Sequence, residues 1–253
     1  PAGGGCMRTV TIPRSRVFHG PLAVVNRSHP LRGDIPTDLA APDDRYPDTL
    51  MERRAARLLS ACIRHVGGGQ EIRPVSGWRS REEQQSIWDM ALAEEGAAFT
   101  RKYVALPGCS EHQSGLAIDL GRACEPVDPI CPDFPYDGVF GAFRRAAADY
   151  GFIERYQSGK EHLTGIAAEP WHFRYVGVPH ARILVSHGLC LEEYPDFLRE
   201  RPRRCILPGG RAAWAFYIPC AQAEVDIPLP DTCCQLSGDN IGGLIVTAWE
   251  KPL

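Results

Sequence analysis

No window of this 253-residue chain approaches the roughly eighteen consecutive apolar residues of a membrane span, so a spanning helix is not expected. Basic runs are missing too, and a net charge of −3 offers no electrostatic footprint for nucleic acid or a membrane surface. There is no internal repeat and no low-complexity tract. The amino terminus, Pro1-Ala2-Gly3-Gly4-Gly5-Cys6-Met7-Arg8, has no apolar core of the kind an intact secretion signal carries. Met7 reads as the natural start and residues 1–6 as an added or gene-model extension. Ten cysteines would suggest a disulfide framework in a short secreted chain, but this chain is long and none of them forms Cys-x-x-Cys. Cys124 and Cys131 are close enough in sequence to pair, whereas adjacent Cys233 and Cys234 are ill-suited to bonding each other. Scattered cysteines in a long chain read as free thiols in a reducing compartment, with Cys109 a packing residue. The expected location is therefore cytoplasmic, or outside the cell had a signal been removed before Pro1.

What is present is ordinary globular composition, 44% hydrophobic and 23% charged, in a chain long enough to bury a sizeable core. The informative stretch is Ser110-Glu111-His112-Gln113-Ser114-Gly115-Leu116-Ala117-Ile118-Asp119-Leu120. Ser114-Gly115 is a turn signal, after which Leu116, Ile118 and Leu120 alternate with Ala117 and Asp119 as a strand. An ionised carboxylate on a mostly apolar strand is costly unless it is paired or binds a metal. His112, displaced by the turn, is available as a second ligand.

Some fifty residues on comes Glu169-Pro170-Trp171-His172, where Pro170 biases Glu169 toward extended geometry and Trp171-His172-Phe173-Arg174-Tyr175-Val176 reads as a second strand. Residues three apart in a straight strand face opposite sides, so Glu169 and His172 share a site only if the chain bends at Pro170. Two imidazoles, one carboxylate and a spare carboxylate are what a one-metal hydrolytic site needs. The other histidines, His19, His29, His65, His162, His180 and His187, read as core or surface residues.

The spacing Ser-x-His-x-x-x-x-x-x-Asp followed by Glu-x-x-His resembles the zinc D,D-peptidases of the VanX/VanY type. Their fold is shared with the hedgehog signalling domain and some phage endolysins. Upstream, Ser76-Gly77-Trp78-Arg79-Ser80-Arg81-Glu82-Glu83-Gln84 is similar to the family's Gly-aromatic-Arg-Ser segment. The resemblance implies an α+β fold, an antiparallel sheet flanked by helices, and is strongest toward bifunctional VanXY enzymes. It implies one Zn²⁺ on His112, Asp119 and His172, Glu169 as the general base, Arg79 facing the scissile carbonyl, and Ser110 and Gln84 touching substrate. The implied substrates are D-Ala-D-Ala and the terminal D-Ala of muramyl pentapeptide precursors, an activity associated with vancomycin resistance. An endolysin-like L-Ala-D-Glu peptidase and a non-catalytic hedgehog-like zinc module are the alternatives.

Along the chain, residues 8 to 47 read as an extended wrap. Asp48 is positioned to cap a helix over Leu50–Ile63, which Gly67-Gly68-Gly69 ends. Ile72 to Trp78 reads as a strand delivering Arg79, and Ser80-Arg81-Glu82-Glu83 as a capping box for a helix stopped at Gly96. The Pro/Asp/Cys-rich loop between Gly121 and Asp137 is a candidate lid. A helix over 139–150, a strand over 152–156 and a turn at 157–160 follow. After the His172 strand, Pro179 opens one helix and Leu191–Leu198 forms another. Beyond about residue 200 the texture becomes β-like, with strands expected at 214–218 and 244–249. The division expected is thus a catalytic domain over 7–200 and a small β-rich extension over 201–253.

Overall fold

The computed structural model describes residues 7–33 and 35–251; the extension read at residues 1–6 lies outside the described residues. The chain starts with β1 (Met7–Pro13), β2 (Leu39–Ala40), β3 (Met51–Glu52), α1 (Arg53–His65), β4 (Ile72–Ser76), α2 (Arg81–Glu94) and α3 (Gly96–Tyr103). Then come β5 (Ala117–Arg122), α4 (Gly138–Ala147), β6 (Phe152–Tyr156), α5 (Glu161–Thr164), β7 (Glu169–Tyr175), α6 (Val178–Ser186) and α7 (Tyr194–Glu200). It finishes with β8 (Arg203–Ile206), β9 (Ala212–Pro219), β10 (Glu224–Pro230), β11 (Cys234–Gly238) and β12 (Gly243–Trp249). This is an α+β protein whose strands pair antiparallel. No helix among the described residues is long and apolar enough to cross a membrane.

The sheet that carries the motif residues runs β4-β5-β7-β6. One face is closed by α1 and α4: Leu59, Cys62 and Ile63 of α1 and Phe140 and Phe143 of α4 pack with Ile118, Leu120 and Phe173 of the sheet. The alternation read from Leu116 to Leu120 is therefore a real division of faces, and Asp119 is left pointing the other way. That second face is roofed by α2 and α3, and between sheet and roof lies the cavity described below.

Several local readings shift. The first helix starts at Arg53 because Met51 and Glu52 are held in β3 against Ala40 and Leu39; the cap is Glu52, which accepts from the Ala55 amide at 2.9 Å, and not Asp48. The capping box of α2 is present, Ser80 and Glu83 bonding each other's amides. Gly96, at φ 81°, ends α2, but α3 starts at once, a helix the sequence reading had not foreseen. β7 starts two residues earlier than expected, at Glu169. Among the described residues, the carboxy-terminal part holds five strands where two were expected. Two of the unforeseen ones, β8 and β11, are short, and β10 carries prolines at 228 and 230 of a kind tolerated on a ribbon edge.

The final strands β8, β9, β12 and β11 form a second sheet whose inner face packs on α6 and α7 through Ile183, Leu184, Tyr194, Leu198, Ala215 and Ile245. The remaining strand, β10, pairs with β1 along its whole length, Met7 opposite Pro230 to Pro13 opposite Glu224, so the first strand shares a ribbon with a strand of the carboxy-terminal part. Across the seam, the buried His180 ring on α6 lies between the Tyr194 hydroxyl at 2.8 Å and Thr247 Oγ1 of β12 at 2.7 Å.

Burial lowers the His180 pKa from 6.5 to about 3. The sign follows: between those values the unfolded chain takes up a proton that the folded chain refuses, so stability present above pH 6.5 drains away as pH falls toward 3. From pH 6.5 to 5 this group alone should remove roughly 2 kcal/mol. Urea unfolding at both pH values should show that loss in the wild type and a smaller one in His180→Gln; identical pH slopes would refute the assignment.

Candidate active site

The site is assembled by two irregularities in one sheet. On β5, Asp119 stands opposite Ser76 of β4 and His172 of β7, so its carboxylate is flanked on both sides by strand neighbours. Between β6 and β7 the register jumps: Glu154 pairs with Phe173, but Tyr156 pairs with Glu169. Arg155 alone thus faces Pro170, Trp171 and His172. This bulge supplies the bend expected at Pro170, and it resets the alternation so that Glu169 and His172 reach the same cavity. A second register shift, between Pro74 and Ser76 of β4, lies on the other side of Asp119.

His112 arrives from the preceding turn. Ser110 caps a single 3₁₀ turn, Glu111–Ser114, with its hydroxyl accepting from the His112 amide at 3.3 Å, and Gly115 at φ 71° redirects the chain into β5. Positive φ here is cheap only for glycine, and a Cβ would meet the Pro36 ring at 2.9 Å.

His112 Nε2 lies 3.2 Å from Asp119 Oδ2, and His172 Nδ1 lies 2.9 Å from Asp119 Oδ1. One ligand atom from each of these three buried residues falls within 4.8 Å of the others, a group able to hold a metal ion. The remaining imidazole nitrogens are already committed. His112 Nδ1 lies 2.6 Å from the Gly77 carbonyl, and His172 Nε2 lies 3.5 Å from Glu111 Oε2. Each ring therefore offers one nitrogen inward while the other is engaged from outside, the usual arrangement around a bound cation. The donor set of two imidazoles and a carboxylate fits a zinc ion that keeps a fourth position for chemistry.

The electrostatics are strongly coupled. Burial would raise the Asp119 carboxyl, but His112 and His172 beside it hold it far below the usual carboxylate range. Burial, helped by the Arg79 charge, pushes His112 down to about 4. Burial also disfavours a charged His172, yet its hydrogen bonds to Asp119 and Glu111 win and raise it to about 9. Glu169, 3.7 Å from His172 Nδ1, is pushed up to about 8 by burial and by the nearby carboxylates, against the pull of His172 and Arg79.

All seven residues singled out from the sequence line one cavity of about 410 Å³. Arg79 Nη2 donates to Asp119 Oδ2 at 3.3 Å and Nη1 to Gln84 Oε1 at 3.1 Å, while its Nε is buried without a partner. Gln84, in turn, donates to the Ala105 carbonyl at 2.9 Å. The loop between Gly121 and Asp137 contributes Pro129 and Ile130 to the cavity wall, and Cys109 lies outside the cluster. Glu111, Tyr156 and Trp171 also line the cavity without having been singled out from the sequence. Glu111 carried a usable signal, an acid set between the motif residues Ser110 and His112; the two aromatics carried none beyond ordinary core character.

Residues 48–178 match the model of the VanY family, described as D-alanyl-D-alanine carboxypeptidase. The bifunctional D-Ala-D-Ala dipeptidase and D-Ala-D-Ala carboxypeptidase VanXYC of Enterococcus gallinarum is 40% identical over 185 residues, 72% of this chain and 97% of that protein. A D-alanyl-D-alanine carboxypeptidase of Enterococcus faecium is 32% identical over 255 residues, 94% of this chain and 78% of its own. Among solved structures, the vancomycin resistance D,D-dipeptidase VanXYg, in complex with a D-Ala-D-Ala phosphinate analogue, matches with a TM-score of 0.93 at 44% identity over 97% of this chain and 100% of its own. A VanY D,D-pentapeptidase from a VanB-type resistance cassette, in complex with Zn(II), matches with a TM-score of 0.58 at 31% identity over 69% of this chain and 98% of its own. The likeness thus reaches well beyond a ligand spacing, and this chain belongs to the VanY family of D-alanyl-D-alanine carboxypeptidases.

Proposed function

We propose that the protein is a zinc-dependent D,D-peptidase that hydrolyses D-Ala-D-Ala and removes the terminal D-Ala of peptidoglycan pentapeptide precursors, as in vancomycin resistance. The observation that carries this reading is the meeting of His112, Asp119 and His172 with Glu169 and Arg79 around a single cavity. Its volume, about 410 Å³, is that of a small-ligand site and suits a short peptide end. Relatives acting on D-Ala-D-Ala support the substrate class.

His112 through Nε2, Asp119, and His172 through Nδ1 would hold the ion. When bound, zinc supplies a Lewis acid that polarises a carbonyl and makes water nucleophilic at neutral pH. The chain's own residues do the rest. Glu169, at the rim of the cluster, is pushed up by burial and neighbouring carboxylates, which a cation held beside it would offset; ionised there, it takes a proton from the attacking water and returns it to the leaving amine. Arg79 is pinned by Asp119 and Gln84, and its partnerless Nε is a buried donor that the developing oxyanion would satisfy. Gln84 acts chiefly by orienting Arg79. Ser110 accepts from the His112 amide, which leaves its own hydroxyl proton free for a substrate carboxylate.

An endolysin-like peptidase and a non-catalytic zinc module fit less well. A carboxylate and a guanidinium aimed at the cluster have no task in a purely structural zinc site.

Every residue assigned a role lies between 79 and 172, which supports reading residues 7–200 as the catalytic domain and 201–253 as an extension braced by the β1–β10 ribbon. We place the protein in the cytoplasm, because all nine cysteines among the described residues are free and free D-Ala-D-Ala is made inside the cell. Recovery of the native protein mainly from an envelope fraction would overturn that placement.

Three outcomes are expected. Glu169→Gln should lower kcat about 10²–10⁴-fold with zinc content unchanged, and full turnover with zinc retained would remove Glu169 as the base. Arg79→Ala should lower kcat about 10²–10³-fold, the loss typical of one oxyanion donor. Chelation should abolish D-Ala release from both D-Ala-D-Ala and a muramyl pentapeptide, and added zinc should restore it. Turnover that survives complete metal removal would end the zinc reading.

A further inference from the structure

Behind His172 lies a group of charges that the reaction itself does not use. Glu111 on the 3₁₀ turn, Arg155 on β6 and Arg174 on β7 have side chains with no solvent exposure, and Glu192 is nearly as enclosed. Arg155 Nε donates to Glu111 Oε1 at 2.7 Å, and its Nη1 and Nη2 grip Glu192 at 2.8 and 2.7 Å. Arg174 Nη1 is also 2.7 Å from Glu111 Oε1, an ion-pair contact without the alignment of a hydrogen bond. Arg174 is itself fixed, its Nη2 donating to the carbonyls of Pro21 and Ala23 at 3.0 Å each. Glu192 accepts in addition from Asn26 at 3.1 Å. Two cations and two anions balance, as a fully buried group of charges requires.

The division of labour on Glu111 is informative. Both arginines engage Oε1, and Oε2 is turned toward His172 Nε2 at 3.5 Å. A charge cluster that served folding alone would gain from sharing both oxygens among the arginines. The bulge contributes here too, since Arg155 is the single β6 residue facing Pro170, Trp171 and His172.

We infer that Glu111 is a positioning residue for the metal site: clamped by Arg155 and Arg174, its free oxygen holds the His172 ring with Nε2 outward and Nδ1 toward Asp119. An acceptor at Nε2 keeps the proton on that nitrogen and leaves the Nδ1 lone pair for a cation. A carboxylate acceptor also makes the imidazole a stronger donor to the ion. Glu192 and Asn26 steady the clamp from behind without touching the histidine. The inference rests on the proposed zinc site.

The test compares wild type, Glu111→Gln, Glu111→Asp and Glu192→Gln by chelator-competition zinc affinity and by the melting temperature of the zinc-stripped protein. Glu111→Gln keeps shape but loses the charge, and Glu111→Asp keeps the charge but withdraws it from His172. Either folded variant should bind zinc about 10–100-fold more weakly, the loss expected for a partner of a metal-bound histidine. Glu192→Gln should melt lower yet keep its zinc affinity within about threefold, because the contact to His172 survives. Wild-type affinity in a folded Glu111 variant would overturn the inference. So would a loss of affinity in all three variants that merely follows their loss of melting temperature. If the wild type itself binds no zinc, the zinc-site reading fails, and that result is distinct from either.

Discussion

The carboxylate of Asp119 is the constraint around which the molecule is arranged. It sits on an inner strand, 4% exposed, between the fully buried Ile118 and Leu120. An isolated charge there would cost several kcal/mol even after relaxation, so the fold must bring it partners. It brings three: His112 from the turn, His172 from the next strand and Arg79 from the end of β4. Each comes from a different segment, which makes the position of Asp119 a condition on the whole sheet and not on one loop.

Meeting that condition takes irregular backbone. A regular β6–β7 ladder would put Glu169 and His172 on opposite faces, and the bulge at 170–172 is what puts both beside Asp119. Bulges interrupt pairing and are tolerated where packing elsewhere fixes the strands. Here the opposite face of the sheet does that: Ile118, Leu120, Phe152 and Phe173 lock against α1 and α4. One face of the sheet is thus given to stability, and the other is free to carry buried charge.

The carboxy-terminal sheet serves the same end indirectly. It covers α6 and α7, and α6 follows directly from β7, the strand that bears His172. The seam is held by apolar packing and by the His180 bridge between Tyr194 and Thr247. Because β1 is zipped to β10, the wrap that follows β1 is tethered at its start, and that wrap supplies the Pro21 and Ala23 carbonyls which hold Arg174. A chain of contacts therefore runs from the last strands to the back of the metal site.

Much of this was legible in the chain. The alternation from Leu116 to Leu120, the Ser-Gly turn before it and the capping box at Ser80 are local signals, set by backbone geometry and side-chain period, and they named the elements that carry His112, Asp119 and Arg79. The resemblance carried by Ser-x-His, Asp, Glu-x-x-His and the upstream Trp-Arg-Ser segment likewise named seven residues that line the cavity, but not Glu111, Tyr156 or Trp171 beside them. Three things lay beyond local reading. The true start of α1 depends on a strand pairing eleven residues away, between Met51 and Ala40. Glu111 gains its place only because Arg155 and Arg174, 44 and 63 residues on, converge on one of its oxygens. The bulge that turns Glu169 and His172 to one side is a property of two strands in register. Sequence fixes which side chains are available and the period on which they recur; convergence of charges in a dry interior is decided by long-range packing, which no local pattern encodes.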